Sequence, residues 1–167
     1  MFVESRWDRA NGYAAQAQVP RDTLDPQAQH ERHEKVGLAV QGVVALLIAF
    51  VLIQLAAAIH ADPRPFAVDP SIKPMFAHVA DNGFPSDHTA VGATVALLVM
   101  IYRKMLGAVL LAASILVGAA RVAAHVHHSQ DIVAALLIAM VAVAISSVAW
   151  RWARPRLPPR LTNLASP

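Results

Sequence analysis

The sequence predicts an all-α integral membrane bundle of about four transmembrane helices, on its composition, the length of its apolar runs and the placement of its charges. Apolar residues fill 56% of the 167 positions and charged residues only 15%, against about 25% charged in a soluble domain. One small core has no room for so much apolar surface, so lipid is the expected solvent. The net charge of +3 does not point to nucleic acid, because the basic residues flank apolar runs instead of forming a stripe. Cysteine is absent, which excludes disulfides and thiolate metal sites.

The elements follow in chain order. Met1 to Glu34 mixes Arg6, Arg9, Arg21 and Arg32 with acidic residues and holds no apolar run of the kind a signal peptide needs. Pro20 and Pro26 break any long helix there, so 1–34 reads as a solvated polar tail. Val36 to Ile59 is apolar apart from Gln41 and Gln54, and a bilayer span needs about 20 residues. His60 to Asp87 is polar and carries Pro63, Pro65, Pro70, Pro74 and Pro85, the composition of a loop. Thr89 to Tyr102 and Met105 to Ala120 are apolar and parted by Arg103-Lys104. Both are short for spans, and reach bilayer length only if Ser86 to His88 and Arg121 lie at the interface or in a cavity. Ile132 to Trp150 is the last span. Residues 35–152 are thus expected to form one membrane-embedded domain, and 153–167 a basic, Pro-rich tail.

Loop charge gives an orientation. With four spans, Arg32, Lys35, Arg103, Lys104 and the tail residues Arg151, Arg154, Arg156 and Arg160 share one side. The other side holds Arg64, Lys73 and Arg121. The bias predicts cytoplasmic termini and a multi-pass protein of the cell membrane. The unusual polar residues then gather on the external face.

Ionisable residues at or within spans are costly and are functional candidates by default. Arg64 and Arg121 offer planar, permanently charged forks suited to phosphate oxygens. Pro85-Ser86-Asp87-His88 stands where a helix begins. Ser86 or Asp87 would cap it, and the free N–H groups would make an anion site. His127 and Asp131 are four apart, so on a helix they share a face, and Asp131 would accept from one ring nitrogen and leave the other free as nucleophile or base. His60 and His78 read as ordinary loop residues, and His125 and His128 as interfacial or supporting ones.

Arg64-Pro65-Phe66, then Phe84-Pro85-Ser86-Asp87-His88-Thr89, then Arg121-x5-His127-x3-Asp131 resemble the three ordered motifs of the type 2 phosphatidic acid phosphatase superfamily. The Phe-Pro-Ser-Asp-His form is most similar to bacterial undecaprenyl-diphosphate phosphatases of the bacitracin-resistance type. The resemblance implies a membrane phosphatase, without metal or other cofactor, that acts on a lipid phosphate or diphosphate. Polyprenyl diphosphate is the first choice of substrate, with phosphatidic acid or phosphatidylglycerophosphate as alternatives. It also implies that His127 attacks phosphorus, Asp131 orients it and His88 protonates the leaving oxygen. Arg64, Arg121 and Ser86, with the Asp87 backbone beside it, would hold the phosphoryl oxygens. The family pattern departs at three points: its first-motif lysine falls on Ala57, the serine before the third-motif arginine is Ala120, and its members usually have six spans. Lys73 is the stand-in that the sequence offers for the lysine.

Two other readings compete. His125, His127, His128 and Asp131 have donor types that suit zinc or iron. On a helix His125 and His127 point apart, however, and two arginines would repel a cation, so the expected metal is none. A membrane protein that binds lipid phosphate without turning it over is the third reading, and turnover of a lipid diphosphate separates it from the enzyme.

Overall fold

The computed structural model describes residues 26–156, with side chains from Lys35 onward, so positions 1–25 of the expected 1–34 tail and 157–167 of the expected 153–167 tail lie outside the described residues. The helices are α1 (Pro26–Ile59), the single turn α2 (Pro65–Val68), α3 (Asp87–Tyr102), α4 (Lys104–Ala123) and α5 (Ser129–Ala153), which runs into a 3-10 turn at Arg154–Arg156. No strand occurs among the described residues; one isolated bridge pairs Pro63 with Asn82. The proline that ends a helix on its N-terminal side also starts one. Pro26 stands at the first position of α1, where its missing N–H costs nothing, so α1 begins inside the segment expected to be tail.

Three helical segments, Lys35–Ile59, Lys104–Ala123 and Ser129–Arg156, are long and apolar enough to cross a membrane, and α3 is apolar but shorter. Their packing is that of a bundle dissolved in lipid. Large side chains face outward: Leu47 and Phe50 on α1 are 61% and 60% exposed, and Met105, Val109 and Leu116 project from α4 in the same way. The interior is built from small residues, with Ala49, Ala93, Ala96, Ala135, Ala139 and Ala142 buried. Between helices in lipid the gain comes from close backbone approach, so small residues belong at the contacts and large ones against the acyl chains.

The seam between α3 and α4 follows this rule. Gly107, Ser114 and Gly118 are the buried residues of α4. A Cβ added at Gly107 would overlap the Met100 backbone, and one at Gly92 would come within 2.8 Å of the Ser114 hydroxyl. That hydroxyl donates to the Thr89 carbonyl at 3.2 Å. Helix α1 closes the bundle, with Ala45 packed on Leu98 and Val143 and Ile53 on Ala90 and Ala135. The C-termini of α1 and α4 and the N-termini of α3 and α5 therefore meet at one end, and the long 60–86 loop lies there.

Candidate active site

The end of α4 sets the first piece. Val126 N–H donates to Arg121 O at 3.2 Å and His125 N–H to Val122 O at 3.0 Å, the paired bonds of a Schellman motif. His125 holds the left-handed position usually given to glycine, at φ 59°. This turn stops the helix and reverses the chain, which carries His127 inward. His127 is buried, and its Nδ1 lies 3.1 Å from Asp131 Oδ2.

The pair is formed, but not as a helical i, i+4 contact. α5 begins only at Ser129, with His128 as N-cap. Asp131 is the third residue of the helix, and its Oδ2 also accepts the His128 backbone N–H at 2.8 Å. The need to satisfy a free N–H at the helix start thus fixes the carboxylate that holds His127.

Arg64 approaches from the other side. It is buried, and its Nη1 donates to the Val126 carbonyl at 2.7 Å and stands 3.4 Å from His127 Nε2. Its Nε donates to Asp81 Oδ1 at 2.6 Å. These neighbours define the imidazole. An ionised carboxylate only accepts and a guanidinium only donates, so Nδ1 carries the proton and Nε2 presents a lone pair.

A cavity of about 350 Å³ is walled by Arg64, Asp87, His88, Arg121 and His127, with Ala57 on the α1 side. Five of the residues singled out from the sequence therefore come together, and Asp131 stands behind His127. Ser86 does not reach the wall. It is the N-cap of α3 but makes no side-chain cap bond. It is fully buried, and its hydroxyl pairs with that of Thr89 at 3.2 Å. Its backbone N–H is taken by the Asp131 carbonyl at 3.2 Å, which ties the start of α3 to the start of α5.

Four residues of the site carry no sequence signal. His78 lines the cavity, with Nε2 3.4 Å from Arg121 Nη2, so it is not the ordinary loop residue expected; Lys73 is exposed and off the wall. Asp81 pairs with Arg64, and the hydrogen bond from that guanidinium holds its carboxyl below the usual range. Asn82 ties the loop to α1: its amide donates to the carbonyls of Ala57 and His60, at 3.1 and 3.2 Å, and its Oδ1 accepts from the Asp62 and Phe84 N–H groups. Asp62 accepts from Gln130 Nε2 at 2.6 Å and pairs with His128 Nδ1 at 3.0 Å. Burial opposes its ionisation, yet these bonds outweigh it and its carboxyl stays below the usual range. Asp62, His128 and Asp131 also form the donor group best spaced for a cation, within 4.8 Å of one another. It shares two members with the cluster read from the sequence, but His127 faces Arg64 instead.

An α-helical membrane bundle with a histidine–carboxylate dyad and two arginines around one end cavity is the class that fold and site define. Residues 38–156 match the family model described as the PAP2 superfamily, and the chain belongs to that superfamily. It is 28% identical over 120 residues to the bacitracin transport permease protein BcrC of Bacillus licheniformis, covering 72% of this chain and 57% of that protein. It is 26% identical over 102 residues to the undecaprenyl-diphosphatase BcrC of Bacillus subtilis (strain 168), covering 61% of this chain and 50% of the relative. The chain spans about half the length of the curated relatives it matches.

Proposed function

We propose that this chain is a membrane lipid phosphatase that hydrolyses a polyprenyl diphosphate to the monophosphate through a phosphohistidine. One observation carries the reading: His127 lies between a buried carboxylate at Nδ1 and a guanidinium near Nε2, which leaves a lone pair at Nε2 on a wall shared with two arginines. The similarity to an undecaprenyl-diphosphatase supports the substrate class. Phosphatidic acid and phosphatidylglycerophosphate are the alternatives within that class.

In the first step His127 Nε2 forms a bond to the terminal phosphorus while the bridging P–O bond breaks. His88 gives its proton to the leaving oxygen, and the lipid monophosphate departs. Arg64 and Arg121 stabilise the charge on the equatorial oxygens, and Asp131 stabilises the imidazolium that forms. In the second step water attacks the phosphohistidine, His88 takes its proton, and orthophosphate leaves. The charge bias of the loops supports a site on the external face and cytoplasmic termini.

The test is labelling from a substrate that carries a labelled terminal phosphate, quenched in acid and washed in alkali. Wild type should retain label and turn over in chelator, and His127→Ala should do neither. Full turnover by His127→Ala, or activity lost to chelator and restored by zinc, would replace the phosphohistidine with a metal mechanism at Asp62, His128 and Asp131.

A further inference from the structure

We propose that His78 supplies the positive charge that balances the bound phosphate, taking up a proton as the anion enters; the inference rests on the phosphatase reading. The fixed charges on the wall cancel. Arg64 and Arg121 are matched by Asp81 and Asp87, all four lining the same cavity, and Asp81 already engages Arg64 through Nε at 2.6 Å. The proton that His88 must carry to act as acid supplies one positive charge against the two negative charges of a phosphate dianion, and a second protonated imidazole is the group that completes the balance near neutral pH.

Three histidines line the cavity: His78, His88 and His127. His127 must keep a lone pair at Nε2 to attack, and His88 gives its proton away in the reaction. His78 is the remaining one. Its Nδ1 lies 3.3 Å from the Val79 carbonyl, which only accepts, so Nδ1 holds a proton. Its Nε2 then accepts from Arg121 Nη2, 3.4 Å away. His78 is thus a partner of Arg121. With an anion in front of Arg121, protonation at Nε2 turns that acceptor into a second donor, and both side chains grip the same oxygens.

The chain holds His78 in place from both sides. Met75 N–H donates to the Ala124 carbonyl at 3.2 Å, and Asn82 is tied to the end of α1. Between these anchors the segment crosses the cavity. The charged or titratable groups around His78 are Asp81 on its own segment, Arg64 before α2, Asp87 and His88 on α3, Arg121 on α4, and His127 before α5. α1 contributes Ile53, Gln54 and Ala57, none of them charged.

Sulfate, a dianion from pH 5 to 9, separates binding from turnover. The full protein in nanodiscs should bind it more weakly at alkaline than at acidic pH, where imidazole carries its proton. His78→Ala should weaken binding at pH 6 by about 10- to 100-fold, the loss of one charged hydrogen bond. For the lipid diphosphate it should lower kcat/KM by a similar factor. His78→Lys should bind sulfate tightly across the whole range, and adding Ala57→Lys to His78→Ala should restore binding with little pH dependence; a merely structural histidine gives neither result. Wild-type sulfate affinity in His78→Ala, or a folded His78→Lys that binds as poorly as the alanine variant, overturns the proposal. If the pattern holds but no lipid phosphate is turned over, the phosphatase reading fails and the anion site stands.

Discussion

Asp131→Asn should slow phosphate release about 5- to 30-fold, and the hydrogen bonds around Asp131 set that range. Its Oδ2 accepts two donors, His127 Nδ1–H at 3.1 Å and His128 N–H at 2.8 Å. An asparagine can present its carbonyl to both, with its NH2 in the place of Oδ1, a buried atom with no partner. The reverse orientation would aim an NH2 at two donors. The His128 N–H therefore pins the amide, and His127 keeps its tautomer. What is lost is the charge that stabilises the imidazolium, the difference between a charged and a neutral hydrogen bond. That is about 1–2 kcal/mol, or roughly 5- to 30-fold in rate. In the serine-protease triad, where the equivalent change inverts the tautomer, the loss is about 10⁴. The assay is kcat for phosphate release from a polyprenyl diphosphate in detergent, with folding checked by thermal unfolding. A loss above about 10³ in a folded protein would mean that the tautomer inverts and the pinning is illusory. An unchanged kcat would remove Asp131 from the reaction.

Gly107→Ala should cost about 1–3 kcal/mol, because its Cβ would overlap Met100 backbone that cannot rotate away. Thermal unfolding reads it, and an unchanged midpoint would show that α3 and α4 are not tightly packed there. Ala80→Cys, in the loop near the site, should react with an impermeant thiol reagent in intact cells, whereas Ala165→Cys should not; labelling at position 165 alone would reverse the orientation.

The bundle was legible because each of its helices is a long apolar run. Val36 to Ile59, Met105 to Ala120 and Ile132 to Trp150 all lie within helices; the structure extends the last two by up to three residues at each end and starts the first at Pro26, inside the expected tail. The Arg103-Lys104 turn is tighter than charge alone suggests, since Arg103 is the single residue between α3 and α4. Within the site, His88, Arg121, His127 and Asp131 were legible because helix ends fix their direction along the chain. The register of the last pair was not. A His-x3-Asp spacing fits both a helix face and the residue before an N-cap with the third residue of the helix, and only the Schellman turn at His125 decides for the second. The family resemblance implies that Ser86 holds a phosphoryl oxygen, and its place before a helix makes it a candidate cap. Its hydroxyl turns to Thr89 instead, and that partner belongs to the packed seam with α4.

His78, Asp81, Asn82 and Asp62 were illegible for one reason, and that reason also explains their chemistry. They lie on 60–86, where prolines remove the periodicity from which a face could be read. α3 has 16 residues, about 24 Å of helix against a hydrocarbon layer of about 30 Å. Read as a span α3 is short, and irregular chain from 60–86 covers the end that carries Asp87 and His88. Such chain is tolerated only where protein satisfies its polar groups or where it lines a cavity. Both conditions are met here. Asn82 uses its amide on two α1 carbonyls and its oxygen on two loop N–H groups. Gly83 N–H donates to Asp62 O at 2.9 Å, and Asp62 in turn holds Gln130 and His128. The bonds that hold the loop over this end are the same ones that bring Asp81 onto Arg64 and His78 beside Arg121.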